Sequence, residues 1–313
     1  MEILKAFLAG IRGVNRSKRY ILLVYLINLV VAIVFGLALA DVIQNSLGSS
    51  LAAENMAQGF DGLWYNSFSQ QAAGLASTFD PSVVNIGAIL NGLDAFLAGN
   101  LLEGYIGIVG AGLLYLLMWT FFSAGFISIY AKSEKSPSFF QQAARFFPRF
   151  VILAIIAGVL YFLLFYFVMN WFSDAVNALT RETIDERIHF VYTVVKYAIL
   201  WILVLVVNML FDYSKIITVM QDHKNALTAP IKAAGIVFPN FLKTFGLYLL
   251  IGLCWIVLMV LYWLYWLIVP GAGGFSLAAI LGAFLLGQIY LLCRIWTRCL
   301  FYAGQTAMCS AIS

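Results

Sequence analysis

The chain has 313 residues, of which 63% are apolar and only 10% charged, and its formal net charge is +4. That composition excludes a soluble domain as the whole molecule and makes the bilayer its solvent. The 4 cysteines and 2 histidines are too scattered for a disulfide framework or a zinc site of ordinary spacing. No phosphate-binding glycine loop, GxSxG or HExxH occurs.

The chain opens on an amphipathic stretch, Met1–Val14, with Ile3, Leu4, Phe7, Leu8 and Ile11 on one helical face. The first long apolar run follows at about 20–40 and ends Ala38-Leu39-Ala40, which resembles a signal-peptidase site. Its long basic flank and its length of about twenty residues predict an uncleaved membrane span instead.

The segment 41–104 is acidic, with Asp41, Glu54, Asp61, Asp80, Asp94 and Glu103 and no basic residue. Two helices are predicted in it. Ile43–Gln58 carries Ile43, Leu47, Leu51 and Met56, and Pro81–Leu97 opens on the cap pair Asp80-Pro81. Between them Gly59, Gly62, Trp64, Tyr65 and Phe68 predict a turn with aromatic anchors. The segment reads as an ordered helical insertion packed on the membrane surface or on the span ends, with a lid over the bundle as the alternative.

Five more apolar runs lie at about 105–130, 150–170, 191–211, 244–269 and 275–293. Each is long enough to cross a hydrocarbon core about 30 Å thick. The expected fold class is therefore all-α membrane with six transmembrane helices, residues 1–313 forming a single membrane domain. Alternating the gaps puts fifteen of the eighteen basic residues on the side of both termini, with 131–149 and 212–243. The positive-inside rule then predicts that both termini are cytoplasmic, in a bacterial inner membrane. The basic surplus reads as this topology signal and as an attraction for anionic lipids, not as a nucleic-acid surface.

Two further amphipathic stretches precede spans. Ser138–Phe147 places Phe139, Phe140, Ala143, Phe146 and Phe147 on one face. Asn225–Phe238 places Leu227, Ile231, Ala234 and Phe238 on one face, with Lys224, Thr228 and Lys232 opposite. Both end in a shared phrase, Phe147-Pro148-Arg149-Phe150 and Phe238-Pro239-Asn240-Phe241. Proline is expected to stop the surface helix there and let the chain turn into the membrane. The result is a weak three-fold repeat of an amphipathic helix followed by a two-span hairpin, each such helix lying in the interface.

Strong polar residues in the spans are few. Lys196 is expected to snorkel to the outer surface. Asp212 and Lys215 share a face at the inner end of the fourth span, and Arg294 and Arg298 lie at the inner end of the sixth. These four form a candidate interhelical charge cluster. Asp212 is expected to be paired, with Arg294 or Arg298 as first choice and Lys215 as the local alternative. The cluster reads as a structural lock between spans or as part of an ion or substrate gate. Tyr262, Trp263, Tyr265 and Trp266 read as an interfacial aromatic belt, and Ala279, Ala283 and Gly287 as a packing seam.

The stretch Phe211-Asp212-Tyr213-Ser214-Lys215-Ile216, then Asp222, Ala226 and Phe238-Pro239-Asn240-Phe241, resembles the six-span membrane domain fused to some bacterial glycerophosphodiester phosphodiesterases. It also resembles related uncharacterised bacterial inner-membrane proteins, and Arg294-Ile295-Trp296-Thr297-Arg298 with Phe301-Tyr302-Ala303 is similar to the C-terminal end of that group. The resemblance implies a helical inner-membrane protein. It does not bring the phosphodiesterase activity, because the chain has no room for the catalytic domain. The function expected is non-enzymatic: a scaffold or assembly partner, or a protein that organises lipid at the inner leaflet, with no cofactor, catalytic residue or metal ligand. The alternative is a transporter or channel for a lipid-like or apolar solute. The partners expected are anionic lipids at the cytoplasmic face and a protein partner in the membrane.

Overall fold

The computed structural model describes residues 2–48, 50–58, 61–73, 76, 79, 106–131, 138–181, 185–268 and 277–312. Among these residues there is no strand, and six helices are long and apolar enough to cross a membrane. The all-α, multi-pass membrane class follows. The candidate spans are Lys18–Leu47, Gly112–Ala131, Phe139–Thr180, Arg187–Met220, Phe241–Leu264 and Leu281–Ile312. At 1.5 Å per residue the 42 residues of Phe139–Thr180 reach about 63 Å, roughly twice the hydrocarbon thickness.

Two compact units divide the chain. The first contains Met1–Arg16, Leu116–Gly252 and Cys299–Ser313, and so holds both chain ends. The second contains Ser17–Tyr115 and Leu253–Arg298.

The first unit begins with α1 (Glu2–Arg16). Its packed face is Ala6, Gly10 and Val14, a face separate from the stripe of Leu4 and Leu8. A Cβ on Gly10 would lie 2.9 Å from Gly304 Cα, so two glycines let α1 and the final helix meet backbone to backbone. Ile3 contributes to packing, its Cδ1 lying 3.1 Å from where a Gly246 Cβ would stand. Leu4 and Leu8 face outward, while Lys5, Arg12 and Arg16 fall on a third face.

After α2 (Lys18–Leu47), α3 (Leu51–Gln58) and α4 (Gly62–Gln71), the chain runs through α5 (Ile106–Ala131) into α6 (Phe139–Leu163). Here the expectation for Ser138–Phe147 is corrected. Pro148 does not end a surface helix; it sits inside α6. Phe139, Ala143, Phe146, Phe150 and Leu153 are buried along one face, whereas Phe140 is exposed. Phe139 meets Phe126 edge to face at 5.3 Å. A Cβ on Gly125 would lie 2.5 Å from the Phe139 ring, so only glycine leaves room for that ring. A π-helical turn, Leu164–Val168, links α6 to α7 (Met169–Thr180) without a break.

α8 (Glu186–Met220) packs against α6, α7 and the short α9 (Ala229–Val237). Lys196 donates to the Ser173 hydroxyl of α7 at 3.3 Å and lies 4.5 Å from the Tyr197 ring centroid, so its ammonium is held between two helices. In α9 the packed residues are Ala229, Ala233 and Val237. Leu227, Ile231 and Phe238 are exposed. Helix α10 (Phe241–Ile268) and helix α11 (Leu277–Ile312) complete the chain. Leu300, Tyr302, Met308 and Cys309 of α11 are all buried in this unit.

In the second unit Ile43–Leu47 is not the start of a new helix but the end of α2. Gly48, at φ 52°, ends it, in the left-handed region that glycine enters freely. Asp61 caps α4 by accepting from the backbone N–H groups of Leu63 at 2.9 Å and Trp64 at 3.1 Å, so 62–71 is a helix where a turn was expected. Trp64, Phe68 and Ala76 form a small core with Ile43, Leu47 and Met56. Pro81–Leu97 lies outside the described residues. Tyr25 donates to Gln288 at 3.0 Å, and Tyr262 stacks on Tyr290 at 4.5 Å. A Cβ built at Gly287 would meet nothing within 4 Å among the described residues.

Candidate functional site

Two members of the predicted charge cluster meet on one helix. Asp212 is buried and its carboxylate lies 3.5 Å from the Lys215 ammonium, one turn along α8. The local partner, Lys215, is thus present. Arg294, exposed, and Arg298, half-buried, belong to the second unit.

A more elaborate charged arrangement stands ten residues further on, at the end of α8. The helix closes with a Schellman-type turn. His223 N–H donates to the Thr218 carbonyl at 3.0 Å and Asp222 N–H to that of Val219 at 3.5 Å. The residue after the cap in such a turn is left-handed and usually glycine. Here it is Asp222, at φ 45°, and an L-residue in that region costs about 1 kcal/mol.

The Asp222 carboxylate faces two guanidinium groups of α6. Arg145 donates to it at 2.5 Å and Arg149 at 2.8 Å, and Arg149 also donates to the His223 carbonyl at 3.3 Å. Arg145 and Arg149 are four residues apart and so share a helix face. Their guanidinium carbons lie 5.4 and 5.3 Å from the centroid of the buried Phe146 ring. The ring's π face is attractive to both cations and fixes their direction. His223 extends the cluster. Lys232 lies 3.3 Å from Nδ1, and Thr228 Oγ1 lies 2.8 Å from Nε2. An ammonium only donates, so Nδ1 accepts and Nε2 carries the proton toward Thr228. Thr228 in turn donates to the Asn225 carbonyl at 3.2 Å.

Asp222 lies 77 residues from Arg145 and 73 from Arg149, so no local pattern joins them. The available signal was an Asp at a helix C-terminus, where the macrodipole disfavours a carboxylate, and an Arg pair spaced four apart.

At the start of α10 the Lys243 ammonium lies 2.7 Å from Glu2 of α1. This hydrogen bond and charge hold the Glu2 carboxyl below the usual carboxylate range. Deeper in the unit, the Gln305 amide and the Tyr213 hydroxyl are buried without hydrogen-bond partners among the described residues. No three His, Cys, Asp or Glu side chains gather as a metal site among the described residues. Compared with known proteins, the chain matches no family model, no curated protein and no solved structure.

Proposed function

We propose that this chain is a non-enzymatic protein of a bacterial inner membrane that organises anionic lipid, with or without a protein partner, at the face that carries both chain ends. One observation carries the reading. Helices α1 and α9 each turn small residues to the protein and large apolar residues outward: Leu4 and Leu8 on α1, Ile231 on α9, with Leu227 and Phe238 flanking it. Lys5, Arg12 and Arg16 border the first set and Lys224 and Lys232 the second. Apolar side chains beneath a basic rim suit the boundary between acyl chains and anionic headgroups, where each cation contributes about 1 kcal/mol. The likeness to the six-span membrane domain noted above is in keeping with this reading for the membrane part alone.

The test is depth. Environment-sensitive labels on Leu8→Cys and Ile231→Cys, in an otherwise cysteine-free protein in vesicles, are expected to be quenched by lipid-borne quenchers and not by aqueous ones. Quenching only from water overturns the reading. Lys224→Cys is expected to react from the cytoplasmic side of inverted vesicles and to be silent in intact cells; labelling in intact cells overturns the orientation.

A second reading, transport of a lipid-like solute, draws on Gln305 and Tyr213. Buried polar groups without partners are rare and suit a polar ligand atom. Solute flux into proteoliposomes that Gln305→Leu abolishes would favour it.

A further inference from the structure

We propose that Arg145 and Arg149 form a phosphomonoester-binding site that Asp222 occupies from within the chain, and that the phosphate is the headgroup of a lipid at the same membrane face. The inference rests on the surface reading above and names the lipid class.

Its basis is the geometry at the end of α8. Two guanidinium groups converge on one carboxylate, which is how a protein receives a tetrahedral anion. Both lie against the same Phe146 ring, which favours their position before a ligand arrives. The pairing is open to exchange, since the Arg145 and Asp222 side chains are 48% and 45% exposed. The charges do not balance. Among the described residues of the cluster, Arg145, Arg149 and Lys232 carry three positive charges and Asp222 one negative charge, which leaves two positive charges over. A phosphomonoester carries close to two negative charges at neutral pH, whereas a phosphodiester carries one. Asp222 also occupies a left-handed position where glycine is the ordinary residue. Leu227 and Ile231, exposed on the same segment as Asp222 and Lys232, supply the surface for the acyl chains.

The full chain, delipidated and placed in phosphatidylcholine nanodiscs, is given equal small amounts of phosphatidate, a monoester, and phosphatidylglycerol, a diester. Native mass spectrometry counts the lipid retained. Phosphatidate is expected to be retained about tenfold over phosphatidylglycerol, the margin of one additional charge contact. The preference is expected to vanish in Arg145→Gln/Arg149→Gln and to persist in part in Arg145→Lys/Arg149→Lys. Asp222→Asn, which keeps a residue tolerant of the left-handed region, is expected to raise phosphatidate retention several-fold by removing the internal competitor. Equal retention of both lipids, a preference that survives the double Gln variant, or a fall in Asp222→Asn at unchanged melting temperature would each overturn the site.

Inorganic phosphate distinguishes the source. If it leaves bound phosphatidate in place, the ligand is the lipid headgroup. If it displaces phosphatidate and protects the detergent-solubilised wild type but not the double Gln variant, the ligand is a soluble phosphomonoester and the lipid assignment fails. The Leu8 and Ile231 depth labels, read in the same nanodiscs, separate the two proposals. Labels in lipid without a headgroup preference sink the site alone, and labels in water sink the surface reading beneath it.

Discussion

The phrase Phe-Pro-X-Phe occurs twice, and the helix runs through the first copy but stops at the second. In the first, Pro148 removes the N–H that the Ala144 carbonyl would accept, a loss of about 3 kcal/mol in a helix interior. Against it stand Phe139, Phe146 and Phe150, all buried on one face, each contributing about 1.5–3 kcal/mol. The packed face outweighs the proline and α6 continues. In the second copy the preceding helix buries only Ala229, Ala233 and Val237. Asn240 then takes over the ending. Its side chain donates to the Ile236 carbonyl at 3.2 Å, and its own carbonyl accepts from the N–H groups of Lys243 and Thr244 at 3.0 Å each. The corresponding residue in the first copy, Arg149, is drawn instead to Asp222. Proline is thus a bias on the backbone, and the apolar area on the flanking turn decides whether it acts.

The comparison breaks first at its anchor. Phe146→Ala is expected to remove about 3–5 kcal/mol and to loosen the helix around Pro148. The checks are unfolding in detergent and amide exchange over Gln142–Leu153. If exchange there stays as slow as in wild type, packing is not what carries the helix past the proline.

Next comes proline itself. Pro148→Ala is expected to stabilise the protein by about 1–3 kcal/mol, up to the full helix-interior penalty, while Pro239→Ala changes stability by less than about 0.5 kcal/mol. Equal effects at the two sites would erase the distinction.

A smaller effect is expected at Asn240→Ala, about 1 kcal/mol for a lost cap, with α9 lengthening toward α10. The matching change at the first copy, Arg149→Gln, breaks a partly exposed pair. A double-mutant cycle with Asp222→Asn should give a coupling below about 1 kcal/mol; a much larger value would make Asp222 a structural lock.

The smallest expected effect lies just beyond the second copy, where Lys243 holds Glu2. The Glu2 carboxyl is lowered in the folded state. Its contribution is therefore complete above the unfolded value of about 4.3 and is lost as pH falls through the folded value. Melting temperature followed from about pH 6 to about pH 3 should drop slightly more for wild type than for Glu2→Gln. Parallel curves would show that the pair does not help dock α1.

Helices α1 and α9 differ from their sequence patterns in what they bury. The periodicity of Ile3, Leu4, Phe7, Leu8 and Ile11 is real, and so is that of Leu227, Ile231 and Phe238. Reading them as the outward faces was sound for Leu4, Leu8, Leu227, Ile231 and Phe238. What escaped notice is that each helix has a second apolar face of small residues, and that this face meets the protein. Gly10 opposite Gly304 carries too little hydrophobicity to register in a pattern, yet only glycine allows the approach. The Asp222 site escaped for another reason. Its members are unremarkable one by one, and their meeting depends on α6 passing Pro148 unbroken.

By itself the sequence determined the bilayer as solvent, the number of spans and the helical class. Apolar length and backbone hydrogen bonding impose these without reference to any contact. Tertiary structure alone decided that Pro148 stays inside a helix and that Ile43–Leu47 finishes α2. It alone brought Arg145 and Arg149 to Asp222. Each of these outcomes is a competition between a local preference of about 1–3 kcal/mol and packing between residues far apart in the chain. Only the folded chain supplies the second quantity.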